Sequence, residues 1–257
     1  MSAEDQHGAA AGAQFTGTRS EQEAAQAVRQ MFNQIAPRYD RLNHLLSFGL
    51  DRRWWRRTAR RFDAVLRRPE SRVLDICCGT GDLTLALVER RPADGEPVLA
   101  LDFAPEMLRR GVEKFRAAGQ AGRVVAIEGD AMHLPAADAS VNLVVSAFGF
   151  RNLANYADAL KEIHRALKPG GEIGILEINR PRGVLGRMYL VYFERLLPWI
   201  GRMVSGSGVA YEYLPQSVAR FPQPGRMLEL MRAAGFADAT WEPYTLGAVG
   251  LFRGRKA

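Results

Sequence analysis

The chain has 257 residues, 47% hydrophobic and 25% charged, with 35 basic and 28 acidic side chains and a formal net charge of +7. That apolar fraction excludes a wholly disordered chain, and no run approaches the roughly 18 consecutive apolar residues of a membrane-spanning helix. The two cysteines, Cys77 and Cys78, are adjacent, which excludes a disulfide framework. The start Met1-Ser2-Ala3-Glu4-Asp5 has neither the basic nor the apolar stretch of a secretion signal, so a cytoplasmic chain is expected.

Residues 1–20 are rich in Ala, Gly, Gln, Ser and Thr without periodicity and are predicted to be a disordered tail. Residues 21–70 read as an N-terminal helical cap. It holds one helix from Glu21 to about Ile35, stopped by Pro37, and a second from Gly49 to Arg68, stopped by Pro69. Residues 71–181 then alternate. Strands are predicted at Arg72–Ile76, Val98–Asp102, Val124–Glu128, Asn142–Ala147 and Glu172–Ile178. Helices are predicted at Leu83–Arg90, Pro105–Ala118 and Tyr156–Leu167, with a turn at Lys168-Pro169-Gly170-Gly171. This order implies a parallel sheet covered by helices on both faces. Residues 182–224 interrupt the alternation with an apolar, aromatic stretch, Met188–Ile200, and a flexible loop at 205–210. Residues 225–257 supply a helix over about Gly225–Ala234. Two strands follow, Ala239–Tyr244 and Ala248–Gly254, close enough to form an antiparallel hairpin.

The segment Val73-Leu74-Asp75-Ile76-Cys77-Cys78-Gly79-Thr80-Gly81-Asp82 runs from an apolar strand through a tight turn into a helix. Gly79 and Gly81 let backbone approach a ligand, and the helix start offers free N–H groups. Asp102 ends the second strand, where a carboxylate can accept both ribose hydroxyls of a nucleoside. Asp130 and Ala131 follow the third strand, where a side-chain carboxylate and an N–H can edge an adenine. A dinucleotide site wants a third glycine, and Thr84 stands there instead. Asp75 and Asp82 bracket the turn with negative charge, which repels a pyrophosphate and suits a cation. S-adenosylmethionine, with its sulfonium and ammonium, fits that requirement.

Four separated segments then bear a more specific likeness. They are Tyr39-Asp40-Arg41-Leu42-Asn43 with Ser47, Gly49, Arg52 and Trp54; the Asp75–Asp82 turn; Ala147-Phe148-Gly149-Phe150-Arg151-Asn152 with Leu167–Gly171 and Leu176-Glu177; and Tyr211-Glu212-Tyr213-Leu214-Pro215-Gln216-Ser217 with Phe221-Pro222. The sequence resembles the ubiquinone/menaquinone biosynthesis C-methyltransferases, a family of class I S-adenosylmethionine-dependent enzymes, over about residues 28 to 256. The resemblance implies a Rossmann-like α/β fold, with a seven-stranded mostly parallel sheet ending in an antiparallel hairpin. It implies methylation of a polyprenylated quinol, most simply demethylmenaquinol, with a 2-methoxy-6-polyprenyl-1,4-benzoquinol as the alternative. The donor site it implies comprises Asp75, Gly79, Thr80, Gly81, Asp102, Phe103, Asp130, Ala131 and Ala147. The last of these stands where the family often has a serine. Asp51 and Trp55 likewise replace a His and a basic residue, and Val141-Asn142 a Phe-Asp. Cys77 and Cys78 read as packed small side chains.

Arg151, with Asn152 and Tyr39, is the candidate catalytic group. A fixed cation beside the quinol oxygen would favour the phenolate that activates the ring carbon. The proton has exits through Tyr39-Asp40, His133 or water. Tyr211 and Tyr213 are candidate linings of the quinol pocket, and no His/Cys/Asp spacing suggests a metal. Eight arginines against two aspartates between Asp51 and Arg68, interleaved with Trp54 and Trp55, suggest attraction to an anionic membrane. This would make the chain peripheral on the inner face of the cytoplasmic membrane. Met188–Ile200 reads as a lid, an interfacial helix or a homodimer contact. An RNA methyltransferase is disfavoured, because Ser146-Ala147-Phe148-Gly149 lacks the Asn/Asp-Pro-Pro-aromatic run of base N-methyltransferases, so no nucleic-acid partner is expected. A non-catalytic donor-binding scaffold is the remaining alternative.

Overall fold

A computed structural model describes residues 12, 18, 20–181 and 209–257. Seven strands form one sheet in the order β3-β2-β1-β4-β5-β7-β6. They are β1 (Val73–Ile76), β2 (Val98–Asp102), β3 (Val124–Glu128), β4 (Val141–Ala147), β5 (Leu167–Ile178), β6 (Phe236–Tyr244) and β7 (Val249–Lys256). The first five are parallel, and β7 lies antiparallel between β5 and β6. The helices are α1 (Glu21–Ile35), α2 (Tyr39–Leu46), α3 (Asp51–Arg60), α4 (Asp63–Leu66), α5 (Asp82–Val88), α6 (Pro105–Ala117), α7 (Tyr156–Ala166), α8 (Val209–Arg220) and α9 (Pro224–Ala233).

Strand side chains alternate between two cores, as the pleat requires. Leu74 and Val144 face one core, filled by Tyr156, Leu160 and Ile163 of α7 and Met227 and Met231 of α9. Val73, Leu143 and Val145 face the other, filled by Trp55 and Ala59 of α3, Leu83 and Leu87 of α5 and Phe115 of α6. With both faces covered, every residue of β1 is buried. Local chemistry sets the helix starts. Ser20 Oγ accepts the Glu23 N–H at α1, Asn155 Oδ1 accepts the Ala157 and Asp158 N–H groups at α7, and Pro105 opens α6.

The expected alternation holds, with four differences. The 49–68 helix is two helices. Its apolar period is unbroken through Trp55, Ala59, Phe62 and Leu66, so periodicity alone reads it as one. The chain leaves helical geometry at Phe62 (φ −112°, ψ 17°), directly before Asp63, which pairs with Arg90. Tyr39–Leu46, left without an element by the sequence, is helical. So is Val209–Arg220, despite the internal Pro215, and it includes residues 209 and 210 of the expected loop. The Lys168–Gly171 turn sits inside β5 as a bulge, since pairing with β4 jumps from Val141–Leu167 to Leu143–Glu172. The Met188–Ile200 stretch lies outside the described residues, as does most of the N-terminal tail. Gly12 is an exception, buried and donating its N–H to the Ala154 carbonyl at 2.9 Å.

Candidate active site

A cavity of about 440 Å³ opens at the carboxyl ends of β1, β2 and β4. This is where chain order reverses across the sheet, because β1 lies between β2 and β4. Tyr39, Gly79, Asp102, Phe103, Asp130, Ala131 and Asn152 all line it. Asp75, Thr80, Gly81, Ala147, Arg151 and Tyr213 are not part of its wall.

The loop after β1 makes the close approach. Cys77, Gly79 and Gly81 have φ of 51°, 57° and 80°, so left-handed residues alternate with ordinary ones. Gly81 has no room for a side chain, because a Cβ there would lie 2.3 Å from Phe115 Cζ. The loop is tied to the neighbouring strand at two points. Cys78 N–H donates to the Leu101 carbonyl at 3.0 Å, and Gly79 N–H donates to Asp102 Oδ2 at 2.7 Å. Asp102 Oδ1 accepts the Ala104 N–H at 2.9 Å. Burial pushes the Asp102 carboxyl up to about 6, against the pull of these backbone donors.

Asp75 is wholly buried behind the loop. Its Oδ2 accepts from Thr84 Oγ1 at 2.6 Å, while Oδ1 has no partner. Thr84, in the place of a dinucleotide motif's third glycine, therefore anchors a carboxylate. Burial, with a lesser push from Asp102, lifts Asp75 from 3.8 to about 7. The folded state then holds this proton more tightly than the unfolded chain. Stability of the donor-free protein should fall as pH rises from about 4 to about 7, by up to about 4 kcal/mol from this group, and Asp102 acts in the same sense. Asp75→Asn should flatten much of that decline in urea unfolding, and an unchanged pH profile would remove Asp75 as its source.

After β4 the chain turns at Phe148 (φ 59°) into a single helical turn, Phe150–Asn152. Arg151 is buried. Its Nη1 lies 3.0 Å from Glu177 Oε2 and also donates to the Phe148 carbonyl, and its backbone N–H donates to Glu177 Oε1 at 3.1 Å. Burial works against the guanidinium charge, and the Glu177 carboxylate together with Tyr39 and Tyr213 more than offsets it. Arg151 is thus half of a buried ion pair rather than a free cation at the cavity. Asn152 faces the cavity, and its Oδ1 accepts from the buried Tyr213 hydroxyl at 3.1 Å. Burial pushes the Tyr39 phenol up, partly offset by its hydrogen bond to Asn43 and by the Arg151 charge. Tyr39 therefore keeps its proton at neutral pH and is able to donate it in a hydrogen bond.

The model of the ubiE/COQ5 methyltransferase family matches residues 18–256. The chain belongs to that family. It is 46% identical over 225 residues to a demethylmenaquinone methyltransferase of Thermus thermophilus, covering 87% of this chain and 99% of that one. A demethylmenaquinone methyltransferase of Deinococcus radiodurans is 44% identical, covering 91% and 95%. A ubiquinone/menaquinone biosynthesis C-methyltransferase of Geotalea daltonii is 38% identical, covering 91% and 98%. Among solved structures, an S-adenosylmethionine-dependent methyltransferase of Thermotoga maritima superposes with a TM-score of 0.59 at 22% identity, covering 89% and 99%. One of Aquifex aeolicus gives 0.55 at 18%, covering 75% and 85%. These two establish the class I methyltransferase fold.

The cavity of this ubiE/COQ5 methyltransferase fits S-adenosylmethionine. Asp102 offers a buried carboxylate beside a glycine backbone, Asp130 adds negative charge for a cationic donor, and Phe103 and Met107 are apolar. Among the described residues no His, Cys, Asp and Glu cluster could hold a metal. Four of the donor-site candidates stand off the wall. Asp75 anchors Thr84, Gly81 caps α5, Ala147 packs in the core, and Thr80 is buried in a separate polar cluster. Tyr211 lies on α8, and its side chain is outside what the structure describes.

Three features of the ubiE/COQ5 site escape sequence reasoning. Helix α1 covers the cavity with Arg29 and Phe32, and Arg29 pairs with Glu128. Cys77 and Gly149 form part of the wall in close contact, since a Cβ on Gly149 would fall 2.4 Å from Cys77 Cβ. Lys114 Nζ meets Asp40 Oδ2 at 2.7 Å, Asp82 Oδ1 at 2.9 Å and Thr80 Oγ1 at 3.0 Å. Thr80 Oγ1 donates in turn to Asp40 Oδ1 at 2.5 Å. This cluster ties α2, which carries Tyr39, to the donor loop and α6. Lys114→Met should raise the donor Kd and lower the unfolding free energy by about 1.5–3 kcal/mol, the worth of hydrogen bonds to charged groups. Lys114→Arg should restore most of both. Calorimetry and urea unfolding check this, and a methionine variant equal to wild type in both would make the cluster incidental.

Proposed function

We propose that the chain transfers a methyl group from S-adenosylmethionine to a ring carbon of a polyprenylated quinol, converting demethylmenaquinol to menaquinol. The observation that carries this is the 46% identity across 99% of a relative named demethylmenaquinone methyltransferase. The relative named for both pathways supports a second reading, methylation of 2-methoxy-6-polyprenyl-1,4-benzoquinol in ubiquinone biosynthesis. Incubating both quinols with labelled donor and weighing the products by mass spectrometry tests the two. Label in neither product would overturn the proposal.

The donor supplies an electrophilic methyl group on a sulfonium. Asp102 would hold the ribose hydroxyls, Asp130 and the Ala131 N–H would edge the adenine, and Gly79 and Phe103 line the cavity around them. Thr80, Gly81, Asp75 and Ala147 shape the loop from behind. Fixing both reactants in line is the main catalytic task, worth up to about 7–11 kcal/mol in ideal cases. A phenol loses its proton near pH 10, so the quinol oxygen needs help at neutral pH; that proton leaves to water, and once the C–S bond breaks, releasing S-adenosylhomocysteine, the methylated ring carbon gives its own proton to water. Tyr39 donates a hydrogen bond toward that oxygen. Asn152 presents its amide N–H groups, because its carbonyl is engaged by Tyr213. Arg151 orients Asn152 and biases the local potential, with Glu177 limiting its net charge. Tyr213, hydrogen-bonded to Asn152, supports the quinol side. The isoprenoid tail resides in a bilayer, so the enzyme works as a peripheral protein on an anionic membrane. No helix among the described residues is long and apolar enough to cross one.

A further inference from the structure

Among the described residues seven non-glycine residues have positive φ, and two of them, Cys77 and Phe148, line the cavity. Cys77 belongs to the donor loop. Phe148 (φ 59°) follows β4, and a bulky side chain enters the left-handed region only at a cost. The adjacent glycine does not take that conformation. Gly149 keeps an ordinary φ of −112°, and its missing side chain serves the close contact with Cys77. The chain therefore puts its strain on an aromatic residue of the wall. Such outliers persist where the surroundings dictate them, and they gather at functional sites.

Those surroundings hold Phe148 from three sides. Its N–H donates to the Leu176 carbonyl at 2.8 Å, and its carbonyl accepts from the Arg151 guanidinium. Its ring meets the Trp54 indole edge-on, with centroids 5.8 Å apart and planes at 62°. Trp54 is fixed in turn, because its Nε1–H donates at 2.8 Å to Thr245 Oγ1, in the turn between β6 and β7. A line of contacts thus runs from the terminal hairpin through α3 to the cavity wall. The wall it reaches is not the donor's nucleoside side. Asp102 and Asp130 follow β2 and β3, on one side of β1, whereas Phe148 follows β4 on the other, four residues before Asn152.

We propose that the Phe148 ring is the platform against which the quinol ring lies, and that it selects a bicyclic naphthoquinol over a monocyclic methoxybenzoquinol. This rests on the polyprenyl-quinol reading and names the feature that would decide between its two substrates. A quinol oxygen at the Asn152 amide brings its ring within reach of a side chain four residues earlier. Aromatic pairs attract beyond the area they bury. A fused second ring enlarges that contact, and a methoxy group in its place does not. Trp54 and Thr245 act through Phe148 and are positioning residues.

Calorimetry of the full chain loaded with S-adenosylhomocysteine tests this apart from turnover, with tail-less naphthoquinol and tail-less methoxybenzoquinol as the probes. Wild type should bind the naphthoquinol about 3- to 10-fold more tightly, the range of an aromatic pair. Phe148→Leu keeps an apolar group without a ring. It should lose most of that preference and hold S-adenosylhomocysteine as wild type does, while Phe148→Tyr should keep the preference. Thr245→Val releases the Trp54 indole and should lose part of it, and Thr245→Ser should restore it. Should Phe148→Leu fail to fold, the Thr245 pair reads the same preference. A wild type without preference, a Phe148→Leu variant that retains it, or a Phe148→Leu variant that loses S-adenosylhomocysteine instead would overturn the proposal. A wild type that shows the preference but methylates no quinol would overturn the function and leave the platform standing. One that methylates demethylmenaquinol yet binds both probes equally would do the reverse.

Discussion

Replacing Glu177 by alanine is expected to lower the unfolding free energy by about 3–5 kcal/mol, the cost of leaving a buried charge without its partner. Glu177 is fully buried, and its Oε2 lies 3.0 Å from Arg151 Nη1. The same loss is expected for Arg151→Ala, which strands the carboxylate instead. The informative variant removes both. Arg151→Met/Glu177→Leu replaces the pair with apolar groups of similar length, and such replacements are often neutral or stabilising. If the pair serves only the fold, the double variant should be stable and active. If Arg151 also orients Asn152 and biases the cavity, the double variant should be stable, bind donor normally and turn over quinol at least about 100-fold more slowly, the lower end of what positioned polar groups contribute. Urea unfolding, donor calorimetry and turnover measured on one preparation separate the outcomes. A stable double variant with full turnover would withdraw Arg151 from the catalytic proposal.

Asp102→Ala should weaken donor binding about 10- to 150-fold, the loss expected for hydrogen bonds to a charged group worth about 1.5–3 kcal/mol. The wild-type affinity should itself depend on pH. The Asp102 carboxyl is raised to about 6 by burial, and its ionised form is the one that would accept the ribose hydroxyls. Affinity should be level above about pH 6 and decline below it, approaching tenfold per pH unit as the carboxyl protonates. Asp102→Asn should be weak at every pH. Calorimetric Kd values that stay level from about pH 5 to pH 8 would remove Asp102 as the ribose acceptor.

What could be read from the sequence was what is local. The five apolar strands, the Gly-rich loop and the terminal hairpin are written in short stretches with a single period, and the acidic ends of β1 and β2 follow from them. The shape of the molecule elsewhere depends on distant partners. Arg151 reads as a free cation until Glu177, 26 residues on, is placed against it. Lys114 carries no signal in its own helix, and its role appears only when Asp40 and Asp82 converge on it. The α3–α4 joint is silent because the apolar period runs straight through it. Helix α8 was masked by Pro215, which ordinarily argues against a helix interior. Trp54 and Trp55 looked like membrane anchors because sequence spacing does not say which way a side chain faces.

The bond between Asp102 and the Gly79 N–H has a thermodynamic consequence for the encounter with donor. The carboxylate that would receive the ribose is already holding the glycine loop in its wound, left-handed form. The loop's disorder is surrendered when the chain folds, so none of it is charged against affinity when the ligand arrives. The site is formed before the donor arrives, and acidification weakens only the grip, because a proton on Asp102 removes the charge that would receive the ribose.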